Sequence, residues 1–185
     1  FIFAPIAANI VFSFNSLPPD PELAGSEWRT AWMERLEANR PWIIEWLQHL
    51  IRDDFYRHGS VCEDFSRIET PVLAVGGWAD SYTNAVFRLM SGLDTPTRAL
   101  VGPWVHLYPH QGMPAPDIHF LSLCLRWWDQ WLKGEDRQVL DEPRYRVFIT
   151  DSTRPAVDLA QAPGRWVGLD VWPPRLLETW ALAPG

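Results

Sequence analysis

Up to about residue 68 the apolar positions recur at helical spacing; from residue 70 they gather into short runs separated by amphipathic segments. Trp28, Ala31, Trp32 and Leu36 share a face after Ser26, a residue type suited to an N-cap. Pro41 opens a second segment carrying Trp42, Ile43, Trp46, Leu47 and Leu50. The stretch from Gly25 to Ile68 therefore reads as a run of short helices. Beyond it the order becomes strand over 71–76, helix over 82–91, strand over 98–102 and a long helix over 117–133. That alternation is the mark of a parallel α/β sheet.

The long helix carries Phe120, Leu121, Cys124, Trp127, Trp128, Trp131 and Leu132 at i, i+3, i+4, i+7 spacing. Arg126, Asp129, Gln130 and Lys133 fall on its other faces, and Gly134 stands where a left-handed C-cap is wanted. From Pro143 the texture is β-like, with runs over 144–150, 165–169 and 176–182 separated by Pro and Gly turns, as in the opening strands of an antiparallel domain. The expected organisation is a helical segment over 1–69, strand–helix units of an α/β core over 70–138, and the beginning of a β domain over 139–185.

The chain has 185 residues, 47% of them hydrophobic, enough for a packed core. A net charge of -7 and the lack of any basic run argue against nucleic acid or an anionic membrane as partner. Cys62 and Cys124 have neither metal nor disulfide spacing and are expected to be free thiols, which fits a cytoplasmic location. Twelve tryptophans and 17 prolines suggest aromatic-lined clefts and many fixed turns. The opening apolar stretch, Phe1 to Phe12, lacks a basic leader and, at about 12 residues, is shorter than the roughly 20 needed to span a bilayer. It reads as the interior of a longer protein.

Two of the apolar runs end alike. Thr70–Asp80 stops at Gly76-Gly77 and releases Asp80, and Arg98–His106 stops at Gly102 and releases His106. Parallel sheets place their functional groups at the carboxyl ends of their strands, so these two side chains can meet there. A carboxylate that accepts a hydrogen bond from an imidazole fixes its tautomer and stabilises the imidazolium formed when the ring takes a proton from serine. Each residue also has a plainer reading, Asp80 as the N-cap of the next helix and His106 as a structural loop histidine. The joint order and placement favour the catalytic pair. No Gly-x-Ser-x-Gly elbow occurs in the 185 residues, so a nucleophile is expected upstream of Phe1. His106, His110 and His119 raise a metal site, but Pro103, Pro109 and Pro114 disfavour a continuous helix through His106 and His110, and neither a metal nor any other cofactor is expected. His49 and His58, with Arg52, Asp53 and Asp54, read as a solvated or ion-paired surface.

Gly76-Gly77-Trp78-Ala79-Asp80-Ser81-Tyr82 and Gly102-Pro103-Trp104-Val105-His106 resemble the acid and histidine motifs of the CocE/NonD family, α/β-hydrolases that include cocaine esterase and Xaa-Pro dipeptidyl-peptidases. Leu125–Gly134 is similar to the family's helix after the histidine. His58-Gly59-Ser60-Val61 with Asp64 resembles the end of its helical cap, and Gly164-Arg165-Trp166 with Trp172-Pro173 resembles the start of its jelly roll. The resemblance implies the C-terminal part of an α/β-hydrolase core with a cap segment, followed by the start of a β-sandwich. It also implies a serine hydrolase acting on small esters, amides or short peptides through an acyl-enzyme. Asp80 would orient His106, His106 would be general base and then acid, and Tyr82 matches an aromatic position near the acyl pocket, where it would contact substrate, its plainer reading being packing on the helix face. Without nucleophile or oxyanion donors the chain alone is expected to be inactive. The competing reading is a non-catalytic protein that holds carbohydrate or peptide on a tryptophan-rich surface and β-sandwich.

Overall fold

The structure, a computed structural model, describes residues 3–156 and 158–173. They divide into two units, Phe1–Ser60 and Val61–Gly185, so the helical unit ends some nine residues before the boundary read at 69.

The first unit is helical: α1 (Phe3–Ser16), α2 (Pro21–Ala24), α3 (Trp28–Ala38), α4 (Trp42–Gln48) and α5 (Asp54–Arg57). From Phe3 on, the opening apolar stretch forms a helix, with Ala8 buried. Carbonyls at and just past its C-terminal end accept hydrogen bonds from side chains of α3 and of the α3 C-cap, Asn39. Trp32 Nε1 donates to Ser16 O at 3.0 Å, Asn39 Nδ2 donates to Phe12 O at 3.3 Å, and Arg35 donates to Leu17 O. Ser26 lies inside a 3-10 turn, Gly25–Glu27, and leaves the cap position of α3 to Glu27. Trp28, Trp32, Leu36, Ile43 and Trp46 are half-buried, whereas Ala31, Trp42, Leu47 and Leu50, expected on the same faces, are exposed, and Leu50 lies past the end of α4. Asp53 caps α5 by accepting the Phe55 amide at 3.1 Å. Its other oxygen lies 2.6 Å from His49 Nδ1, so these side chains form a hydrogen-bonded joint between α4 and α5.

The second unit is built on one sheet in the order β1 (Val72–Gly77), β2 (Thr97–Gly102), β3 (Tyr145–Thr150), β4 (Gly164–Leu169). β1 and β2 pair in parallel over their full length, with Val72 opposite Thr97 and Gly77 opposite Gly102, and α6 (Thr83–Gly92) connects them. Ala74, Ala99, Val101, Tyr145 and Val147 alternate onto one sheet face, where Val86 and Met90 of α6 close the core. Leu73 and Leu100, on the opposite face, border a small cavity with Leu123 and Trp127 of α7 (Phe120–Lys133). Helices on both faces account for the nearly continuous apolar character of β1 and β2.

Two readings change here. Tyr145–Thr150 does not begin an antiparallel pairing: β3 lies parallel to β2, with Ala99 opposite Tyr145, and antiparallel pairing begins only between β3 and β4. A single sheet therefore crosses residue 138, and the expected strand over 176–182 lies outside the described residues. On α7, Cys124 and Trp127 are buried, but Leu121, Trp128 and Leu132 face outward, each more than half exposed. The helix carries more apolar residues than one sheet face can cover. Asp129, expected on a polar face, is buried beside Lys133 at 2.6 Å and Arg137 at 2.8 Å. Gly134 takes the left-handed C-cap, with φ 72°.

Candidate active site

The carboxyl ends of β1 and β2 hold the site. Beyond Gly77 the chain turns sharply: the Asp80 amide donates to Gly77 O at 3.0 Å, and Thr83 Oγ1 donates to Asp80 O at 2.8 Å and to Gly77 O. This turn sends the Asp80 side chain back over the sheet end. Asp80 Oδ1 accepts the Tyr82 amide at 2.9 Å, and Oδ2 lies 2.8 Å from His106 Nδ1. Asp80 thus serves the turn that starts α6 and pairs with the imidazole, one oxygen for each.

The environments of the two partners differ. The Asp80 side chain is 13% exposed and that of His106 is 79% exposed. Burial pushes the Asp80 carboxyl up, but the Tyr82 amide and the hydrogen bond and charge of His106 outweigh it and hold the carboxyl below the ordinary aspartate value of 3.8. An ionised Asp80 accepts a hydrogen bond from His106 Nδ1–H, which leaves the Nε2 lone pair free to take a proton. Nε2 has no hydrogen-bond partner among the described residues. A cavity of about 590 Å³ opens beside the pair, bordered by Gly76, Gly77, Leu107, Tyr108 and Phe120.

Tyr82, at the start of α6, is 63% exposed, and its ring centroid lies 5.7 Å from that of His106. The other histidines of the suspected cluster stay apart from the pair. His110 stacks between Tyr108 and Phe120, and His119 is the residue before α7. Among the described residues no group of three His, Cys, Asp or Glu side chains is placed to hold a metal ion. Neither Cys62 nor Cys124 is in a disulfide, and burial pushes the Cys124 thiol up. No helix of the described residues is long and apolar enough to cross a membrane.

Trp104 is the residue at this site that sequence reading missed. It is 1% exposed, its carbonyl accepts the Ala79 amide at 3.1 Å, and its indole Nε1 donates to Pro116 O at 2.7 Å. The available signal was the glycine pattern: Gly77, Gly102 and Gly112 all lack a Cβ where one would run into Trp104.

A parallel α/β sheet that delivers a paired aspartate and histidine from consecutive strand ends has the layout of the α/β-hydrolases. Residues 12–108, just over half of the chain and including both Asp80 and His106, match the family model of the X-Pro dipeptidyl-peptidases (S15 family). The chain belongs to that family. Candidate serine esterases of Mycobacterium bovis and Mycobacterium tuberculosis are each 27% identical to it over 110 residues, 56% of this chain and 16% of theirs. Two crystal structures of a CocE/NonD family hydrolase from Staphylococcus aureus share its fold. One has a TM-score of 0.60 and 18% identity, covering 82% of this chain and 26% of that one; the other has a TM-score of 0.53 and 17% identity, covering 79% and 25%. The chain thus spans about a sixth of the length of the curated relatives and a quarter of that of the solved ones.

Proposed function

We propose that this chain supplies the acid and the histidine of a serine hydrolase that cleaves small esters, amides or short peptides through an acyl-enzyme. The observation that carries this reading is the 2.8 Å contact between Asp80 Oδ2 and His106 Nδ1 at two consecutive strand ends. The nucleophilic serine and the oxyanion donors belong to sequence outside these 185 residues, in keeping with the much greater length of the relatives and the lack of a Gly-x-Ser-x-Gly elbow here.

His106 Nε2 takes the serine proton as the serine oxygen attacks the substrate carbonyl, and Asp80 stabilises the resulting imidazolium without itself being protonated. The imidazolium then gives that proton to the departing alcohol or amine, leaving the acyl group on serine. In the second half a water molecule attacks the acyl-enzyme, His106 takes its proton and returns it to the serine oxygen, and the acid is released. Tyr82, whose ring lies beside the imidazole, contacts the acyl part of the substrate.

Labelling of the full-length protein with a fluorophosphonate tests this reading, paired with turnover of p-nitrophenyl acetate and an Xaa-Pro-p-nitroanilide. A single labelled serine, lost labelling in His106→Ala and turnover of at least one substrate are expected. Labelling and turnover unaffected by His106→Ala would contradict it. Tyr82→Ala is expected to raise KM more than it lowers kcat.

A further inference from the structure

We propose that Trp104 is the positioning residue that sets the Asp80–His106 contact, holding the acid turn and the histidine loop at one spacing; this rests on the catalytic reading of that pair. His106 is too exposed for packing to orient it: apart from Asp80 and the ring of Tyr82, no partner among the described residues holds its side chain. Its placement must come from the backbone, and Trp104 anchors that backbone two residues before His106.

The anchor has two ends. On one, the Trp104 carbonyl accepts the amide of Ala79, the neighbour of Asp80, at 3.1 Å, while the Trp78 amide donates to Gly102 O at 2.8 Å. These bonds extend the β1–β2 ladder past the strand ends and tie the acid turn to the histidine loop. The approach is possible only because residue 77 is glycine, since a Cβ there would lie 2.1 Å from the Trp104 carbonyl oxygen. On the other end, the indole is clamped in place. A Cβ on Gly102 would meet it at 2.5 Å and one on Gly112 at 2.2 Å, and its Nε1–H is held by Pro116 O. The Val105 amide donates to Met113 O at 2.7 Å and secures the next residue. The indole is thus an internal stop that fixes where the Trp104 carbonyl, and through it Ala79 and Asp80, can lie.

The test uses the full-length protein with p-nitrophenyl acetate as substrate and the low-field NMR signal of the His106 Nδ1 proton as a second readout. Gly77→Ala displaces the Trp104 carbonyl and is expected to lower kcat about 100-fold with little change in KM, because a misplacement near 1 Å costs that much. The Nδ1 signal should weaken or shift in parallel. Trp104→Phe, which keeps a ring and the carbonyl but loses the Pro116 bond, is expected to lower kcat about 10-fold with the same spectral change. It carries the test if Gly77→Ala does not fold. Met90→Ala removes core packing from the same sheet without touching the loops and should leave kcat and the signal unchanged while the protein is folded. Wild-type kcat and Nδ1 signal in the folded Trp104 and Gly77 variants would overturn the proposal, as would equal losses in Met90→Ala. Full turnover in Asp80→Asn would instead overturn the catalytic reading, and the Nδ1 signal would still decide whether Trp104 sets the contact.

Discussion

Asp80 Oδ2 and His106 Nδ1 lie 2.8 Å apart although 26 residues separate them in the chain. The register that pairs Gly77 with Gly102 places the two strand ends side by side, and the turn after each glycine carries its side chain to the same spot. In Asp80→Asn the amide can present a donor to Nδ1 and hold the imidazole in the wrong tautomer. The full-length variant should fold normally and lose about 10⁴-fold in kcat. Steady-state kinetics on p-nitrophenyl acetate checks this, and a loss under tenfold would count against the role of Asp80.

Stability should depend on pH through the same aspartate. The Asp80 carboxyl is held below 3.8 in the folded chain, where burial opposes the shift and the Tyr82 amide and His106 overcome it. A depressed folded value means that the stabilising contribution is fully present above the unfolded pKa and is lost as pH falls through the folded one. Asp129, lowered chiefly by its hydrogen bond to Lys133 and further by the charges of Lys133 and Arg137 against opposing burial, acts in the same direction. Melting temperature should therefore drop as pH falls from about 5. Asp80→Asn and Asp129→Asn should each flatten that drop, and thermal melts across this range show whether they do.

The strand ends that bring Asp80 and His106 together were legible because their signals are local. Apolar runs stopping at glycine marked β1 and β2, the i, i+3, i+4 spacing marked α7, and residue type and order marked Asp80 and His106. Pairing direction was not legible: Tyr145–Thr150 has the same alternation whether its neighbour runs parallel or antiparallel, and only the path of α7 between β2 and β3 decides it. The bounds of α1, Phe3–Ser16, were not legible because its apolar positions have no clear period. Asp129 was misplaced because the partners that let a carboxylate be buried, Lys133 and Arg137, lie on the last turn and past the helix end. Trp104 was overlooked since its role depends on three glycines that meet only in the fold.

Gly134 ends α7 at φ 72°, in the left-handed region that a Cβ disfavours. Gly134→Ala has open space around it, so backbone strain alone should act, costing about 1 kcal/mol. Chemical denaturation should show a lower midpoint with an unchanged slope. An unchanged midpoint would mean that this cap contributes nothing.

The outer face of α7 presents Leu121, Leu125, Trp128 and Leu132, each more than half exposed, and among the described residues the free edge of β1 has no strand partner. Expressed as these 185 residues alone, the chain should self-associate and show neither ester turnover nor fluorophosphonate labelling. Leu125→Gln combined with Leu132→Glu should reduce the association seen by size-exclusion chromatography. A monodisperse wild-type monomer would contradict the expectation.

The most direct measurement is the turnover of p-nitrophenyl acetate by full-length protein carrying His106→Ala. A fall of several orders of magnitude in kcat, with the variant still folded, is the predicted result, since the histidine moves the proton in both half-reactions. Turnover at the wild-type rate would mean that the Asp80–His106 pair is structural and that the chain does not supply the acid and base of a serine hydrolase.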